Sequence, residues 1–166
     1  MFTIRTSGDF FENLLEEFED LQENPLSARH AINCAISAYH MHEWVWGDWL
    51  EKDDSTKISL GVTDKDSFVE WIGQHEPFFR AIAQLANGNK HFSREAIRHT
   101  TMAGTFDYAD IDQDAFDTPR LEVEVDGRWV LAKVMFNDII FFWRDFLHNY
   151  SPYSNLPTSL TPTESN

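Results

Sequence analysis

The stretch from Ser27 to about Leu50 constrains the fold more than any other part of this chain. Ala28, Ala31, Ala35 and Ala38 recur at three and four residues, so a second helix can approach closely along that edge. Ile32, Ile36, Tyr39 and Trp46 form another apolar face. Charges are few between Ala31 and Met41, which predicts a helix buried on most of its sides. Such a helix needs other helices around it.

The flanking sequence supplies them. A first helix is expected from Asp9 to about Glu23, with Asp9 and Glu12 as a capping box and Asn24-Pro25 as its stop. Phe10, Phe11, Leu14, Leu15, Phe18 and Leu21 give it one apolar face, and Glu12, Glu16, Glu17, Glu19, Asp20 and Glu23 take most of the remainder. Glu51 to Asp66 reads as a polar loop. Ser67 with Glu70 reads as a second capping box opening a third helix, and Pro77 either kinks that helix or starts a new one. Its apolar pattern runs on through Phe78, Phe79, Ile82 and Leu85 to a stop at Asn87-Gly88. Ser93 to His99 is expected as a short helix, and Thr100 to Pro119 as irregular acidic chain.

The clearest local signal follows. Leu121, Val123 and Val125 alternate with Glu122, Glu124 and Asp126, and Asp126-Gly127 precedes a second apolar run to Phe136. That pattern predicts a β-hairpin over about 120–136, turning where two consecutive residues take positive φ. Two strands alone are marginal, so the hairpin must lie on the helices or extend another sheet. Asn137 or Asp138 then caps a last helix to about Tyr150. The expected fold is mainly α: a four- to five-helix bundle with one C-terminal β-hairpin followed by a last helix, in a single domain over 1–150, with a mobile Pro/Ser/Thr-rich tail at 151–166.

Composition narrows the function. The chain has 28 acidic residues against 13 Lys and Arg, a formal net charge of −15, which opposes a general nucleic-acid coat. Cys34 is the single cysteine, so neither an internal disulfide nor a cysteine-based zinc site is expected. No apolar run approaches a membrane span, and the N-terminal residues have no basic region followed by an apolar stretch, so a cytoplasmic location without membrane contact is the default expectation.

Two constellations could carry chemistry. Asn87, Asn89, Lys90 and His91 gather at a helix end, where a histidine can move protons and a lysine can hold a phosphate or a developing negative charge. The same residues also suit an ordinary helix C-terminus. The second is a polar line on the central helix: His30, Asn33, Ser37 and His40, spaced by three, four and three. Buried polar groups need partners, so this line either fixes helix register within the core or shares a binding pocket with Asn87 and His91. Histidines and carboxylates are spread over several helices, but paired Glu-x-x-His motifs and His-Glu-x-x-His are absent, and Asp145-x-x-His148 is the nearest approach. No metal ligand set and no cofactor is assigned on this pattern. Asp110, Asp112 and Asp114 copy the start of a calcium loop, but Ala115 and Leu121 stand where that loop needs Gly and Glu, so a solvated acidic loop is expected.

An Asn–x3–His step, Asn87 to His91, late in a helical bundle resembles the HEPN superfamily (higher eukaryote and prokaryote nucleotide-binding). The family signature is Arg, then a polar residue, then His four to six residues further on. Asn87 and His91 match the polar residue and the histidine, Ala86 stands at the arginine, and Lys90 is a neighbouring cation; Arg94 and His99 give a further Arg–x4–His match. The resemblance implies a metal-independent ribonuclease of defence or toxin systems, often a homodimer. His91 would move the 2′-hydroxyl proton or protonate the leaving oxygen, Lys90 would stabilise the phosphorane, and Asn87 would orient the phosphate.

The charge favours a different expectation. An acidic intracellular interaction or regulatory protein, linked to a defence, toxin–antitoxin or phage system, would present carboxylates to a basic protein partner. Its contact surfaces would be the acidic face of the first helix and the loop from Tyr108 to Asp117. The ribonuclease stands as the alternative, and only under it is RNA a partner.

Overall fold

A computed structural model of the chain describes residues 4–88, 97–101 and 119–153. Six α-helices and a three-stranded antiparallel sheet are found among them: α1 (Ser7–Glu23), α2 (Ala28–Asp48), α3 (Asp54–Leu60), α4 (Lys65–His75), α5 (Phe79–Asn87), β1 (Ile97–Thr101), β2 (Pro119–Val125), β3 (Arg128–Leu131) and α6 (Ala132–Tyr150). A short 3-10 turn, Leu50–Lys52, follows α2. The mainly helical fold with a hairpin leading into a last helix is the architecture the sequence predicts.

α2 is central and packs against α1, α4, α5 and α6. Its Ala31, Cys34, Ala35, Ala38, Met41 and Val45 are fully buried. α1 buries Phe11, Leu14, Phe18 and Leu21, and α6 buries Met135, Phe136, Ile139, Ile140, Trp143, Phe146 and Leu147. Aromatic rings join α4 to α6: the Phe68 and Phe146 centroids are 5.5 Å apart, and Trp71 lies 5.7 Å from Phe146. Edge and offset ring contacts of this kind add to the stabilisation from buried area.

α2 starts as expected with Ser27 at its cap, whereas the starts of α1 and α4 differ from the sequence expectation by about one turn. The Thr6 hydroxyl accepts from the Asp9 N–H at 3.1 Å, and the Asp9 carboxylate accepts from the Thr6 N–H at 3.0 Å. Asp9 is thus the third helical residue of a Thr6–Asp9 box, not the cap of an Asp9–Glu12 box. Both spacings fit the motif; the earlier one also buries Ser7, whose N–H and hydroxyl bind Asp48 at the end of α2. Asp64 likewise caps α4 and Ser67 is its third residue, so Ser67–Glu70 is not the box.

Three further differences concern boundaries. The expected loop 51–66 contains α3, capped by Asp53 and closed by Gly61 at φ 72°; its polar composition hides it, because only Leu60 and the following Val62 reach the core. The short helix expected over 93–99 is replaced at its end by β1, which pairs with β2 from Ile97↔Val123 to Thr101↔Pro119. The hairpin ends at Leu131 rather than about 136, and Asn137 and Asp138 lie inside α6 rather than at its cap. The reason is visible in the pattern: Ala132, Met135, Phe136, Ile139, Ile140 and Trp143 follow helical spacing and are all buried.

The turn itself is as expected, with Asp126 at φ 50° and Gly127 at φ 78° between paired Val125 and Arg128. β2 contributes Leu121 and Val123 to the core against α6. Just after α6 the chain is anchored at Tyr153, whose hydroxyl donates to Asp48 at 2.7 Å. Burial and the Asp48 carboxylate together push Tyr153 up to about 12. The remainder of the expected tail, 154–166, lies outside the described residues. No helix among the described residues is long and apolar enough to cross a membrane.

Candidate functional site

Among the described residues the polar line of α2 has partners at separate places. Ser37 is buried and takes a 3.3 Å hydrogen bond from the Asn13 side-chain amide of α1. Asn33 is half-buried one turn earlier. His30, at the start of α2, has its N–H on the Ser27 hydroxyl at 3.3 Å and its ring Nδ1 turned toward Asp20 of α1 at 3.9 Å. His40 lies at the other end, where its Nδ1 meets Glu43 at 3.0 Å, and Glu43 also meets Lys65 at 3.5 Å. Burial alone would raise the Glu43 carboxyl; the His40 hydrogen bond, with Lys65 nearby, outweighs it and holds it below the usual range. His30 and Ser37 therefore lie at the α1–α2 seam, and His40 meets Glu43 on the surface.

His42 is the more deeply buried imidazole. Its Nδ1–H donates to the Tyr39 carbonyl at 2.6 Å, and its ring packs against Tyr39 and Phe79. Burial pushes its pKa down, so it is a neutral core residue.

Of the helix-end group, Asn87 is exposed as the last residue of α5 and Asn89 lies outside the described residues. Among the described residues no hydrogen bond links Asn87 to His30, Asn33, Ser37 or His40. Lys90 and His91 lie outside the described residues, as do Arg94, the Tyr108–Asp117 loop and the Asp110–Asp114 run.

The best-defined exposed chemistry is on α1. Asp9, Glu12, Glu16, Glu19 and Glu23 recur at three and four residues, opposite the buried Phe11, Leu14, Phe18 and Leu21. Glu12, Glu16, Glu19 and Glu23 are exposed. The helix has seven carboxylates and neither lysine nor arginine in its 17 residues. Among the described residues no cation lies within ion-pair distance of Glu12, Glu16, Glu19 or Glu23. This arrangement opposes the helix: like charges four apart repel, and the last turn, which favours cations, has none.

Among the described residues, open clefts flank the bundle. One, of about 410 Å³, is lined by Tyr39, Glu70, Phe79 and Arg80 among others; the second, of about 320 Å³, lies between Arg5, Glu43, Trp44 and Asp48. Neither receives His30, Asn33, Ser37 or Asn87.

A side-chain group that the sequence reading did not isolate lies at the C-terminal half of α1. Glu17, Asp20 and His30 place one potential ligand atom each within 4.8 Å of one another. The signal was present as Glu-x-x-Asp on one helix and a histidine ten residues later across a short turn, but only the α1–α2 pairing brings them together.

Neither a protein-family model, nor a curated protein, nor a solved structure matches this chain.

Proposed function

We propose that this chain is an acidic helical interaction protein that regulates a basic protein partner by presenting the outer face of α1. The observation that supports this reading is the exposed Glu12–Glu16–Glu19–Glu23 stripe, which has no compensating cation among the described residues. The stripe costs the helix stability through mutual repulsion and an unfavourable dipole, and packing against α2 gains nothing from it. A basic surface would remove that repulsion on docking and speed the encounter. The expected setting is intracellular, in a defence, toxin–antitoxin or phage system.

The test is affinity capture from the source cell at low and at high salt, with the full chain and with a variant bearing Glu12→Gln, Glu16→Gln, Glu19→Gln and Glu23→Gln. The reading expects a basic protein retained at low salt, released by salt and not retained by the variant. No retained protein at low salt, or equal retention by the variant, overturns it. The metal-independent ribonuclease stays the alternative, and it expects RNA cleavage in the presence of chelator that is lost in His91→Ala.

A further inference from the structure

We infer that Glu17, Asp20 and His30 form a divalent transition-metal site that clamps α1 to the start of α2. Three observations meet there. The ligand atoms of the three side chains already lie within 4.8 Å of one another. In a tetrahedral site with bonds of about 2.0–2.1 Å, ligand atoms stand about 3.4 Å apart, so closure needs only side-chain rotation. Asp20 is exposed and Glu17 half-buried, so both carboxylates are free to make that movement.

The second observation is the His30 ring. Its Nδ1 is shut off from solvent and has no hydrogen-bond partner among the described residues, where the Asp20 carboxylate oxygen stands 3.9 Å away. That distance is too long for a hydrogen bond. A buried ring nitrogen without a partner costs free energy, and an ion seated between Nδ1 and the two carboxylates would satisfy it.

The donor set selects the ion. One imidazole with two carboxylates suits Zn²⁺, Mn²⁺ or Fe²⁺, whereas Ca²⁺ and Mg²⁺ prefer oxygen alone. Two negative charges beside a neutral imidazole balance a divalent cation. Three protein ligands leave at least one coordination position for water.

The third observation gives the site a signature. Arg29 places its guanidinium 3.2 Å from His30 Nε2. Guanidinium only donates, so in this arrangement Nε2 accepts and Nδ1 carries the proton. Metal binding through Nδ1 reverses the tautomer: the proton moves to Nε2 and Arg29, an exposed side chain, swings away. Arg29 therefore opposes the metal both by charge and by tautomer.

The site is independent of the partner proposed for the Glu12–Glu23 stripe. Its test is isothermal titration of the full chain, freed of metal by chelator, with ZnCl₂ and separately with MgCl₂, alongside thermal melts. The account expects one saturable Zn²⁺ per chain, a rise in Tm with Zn²⁺ and no comparable binding of Mg²⁺. Asp20→Asn and His30→Gln should each weaken Zn²⁺ by about tenfold or more, the scale on which even outer ligand-orienting groups act. Arg29→Gln should tighten it. Glu12→Gln with Glu19→Gln, carboxylates on the same helix outside the cluster, should leave it unchanged. Circular dichroism of each variant separates a lost ligand from a lost fold. Absence of saturable binding, or equal weakening by Glu12→Gln with Glu19→Gln, overturns the site and leaves only diffuse cation attraction to an acidic surface.

Discussion

The indole Nε1 of Trp143 donates a 2.9 Å hydrogen bond to the main-chain carbonyl of Ala38, joining α6 to α2 across 105 residues of sequence, with both residues fully buried. The small side chain of Ala38 lets the indole reach the backbone of α2. Trp143→Phe removes the bond and part of the ring volume together. It should destabilise the protein by about 1–3 kcal/mol, measured by urea unfolding. A change below the error of that measurement would mean the bond contributes nothing to α2–α6 docking.

Cys34 is fully buried on α2, and burial, with Glu17 of α1 adding to it, pushes its thiol far above the ordinary cysteine range. A thiol held protonated and covered is a poor nucleophile. The folded protein should resist alkylation at neutral pH and react only as it unfolds, with a rate that follows denaturant. Rapid labelling of the native state would show that α2 opens easily.

His42 gives the stability a pH dependence of known sign. Its folded pKa is lowered by burial, so the unfolded chain takes up its proton first as pH falls. The contribution of neutral His42 is present above the ordinary histidine value of about 6.5 and lost as pH falls through the folded value. Melts of the wild type and His42→Gln should therefore diverge less at low pH than at neutral pH. A constant difference across that range would place the ring in water.

Tyr153 acts at the alkaline end. Its pKa is raised to about 12, first by burial and then by Asp48, so the stability it contributes is intact below about pH 10 and declines as pH approaches 12. Tyr153→Phe should remove the late-titrating phenol from the ultraviolet titration. Retention of that phenol would assign it to another tyrosine.

Periodicity carried most of the fold. The faces of α1 and α2 and the Asp126-Gly127 turn follow from apolar spacing and turn chemistry, and the structure places them as read. Capping boxes were harder, because Thr6–Asp9 and Asp9–Glu12 satisfy the same spacing, and only the Ser7–Asp48 contact, made through tertiary packing, separates them. β1 was hidden because its strand partner is not adjacent in sequence: its paired residues run from Ile97↔Val123 to Thr101↔Pro119. The candidate sites depended on side-chain direction. His30 and His40 share a line on α2, yet one turns to Asp20 and the other to Glu43, a distinction set by which helices pack beside each end. The carboxylate stripe of α1, by contrast, was legible at once, since exposure follows directly from the opposite apolar face.

Neutralising that stripe separates function from folding. Converting Glu12, Glu16, Glu19 and Glu23 to glutamine relieves repulsion and the dipole conflict, so Tm should rise, on the scale of about 0.5–1 kcal/mol of added stability. The decisive measurement is the dissociation constant of the captured partner with wild type and with this variant, over a series of salt concentrations. The account predicts wild-type affinity that falls steeply with salt and a variant that binds at least about tenfold more weakly at low salt while being the more stable protein. Equal affinities at low salt, or a wild-type affinity flat in salt, would contradict the role assigned to α1.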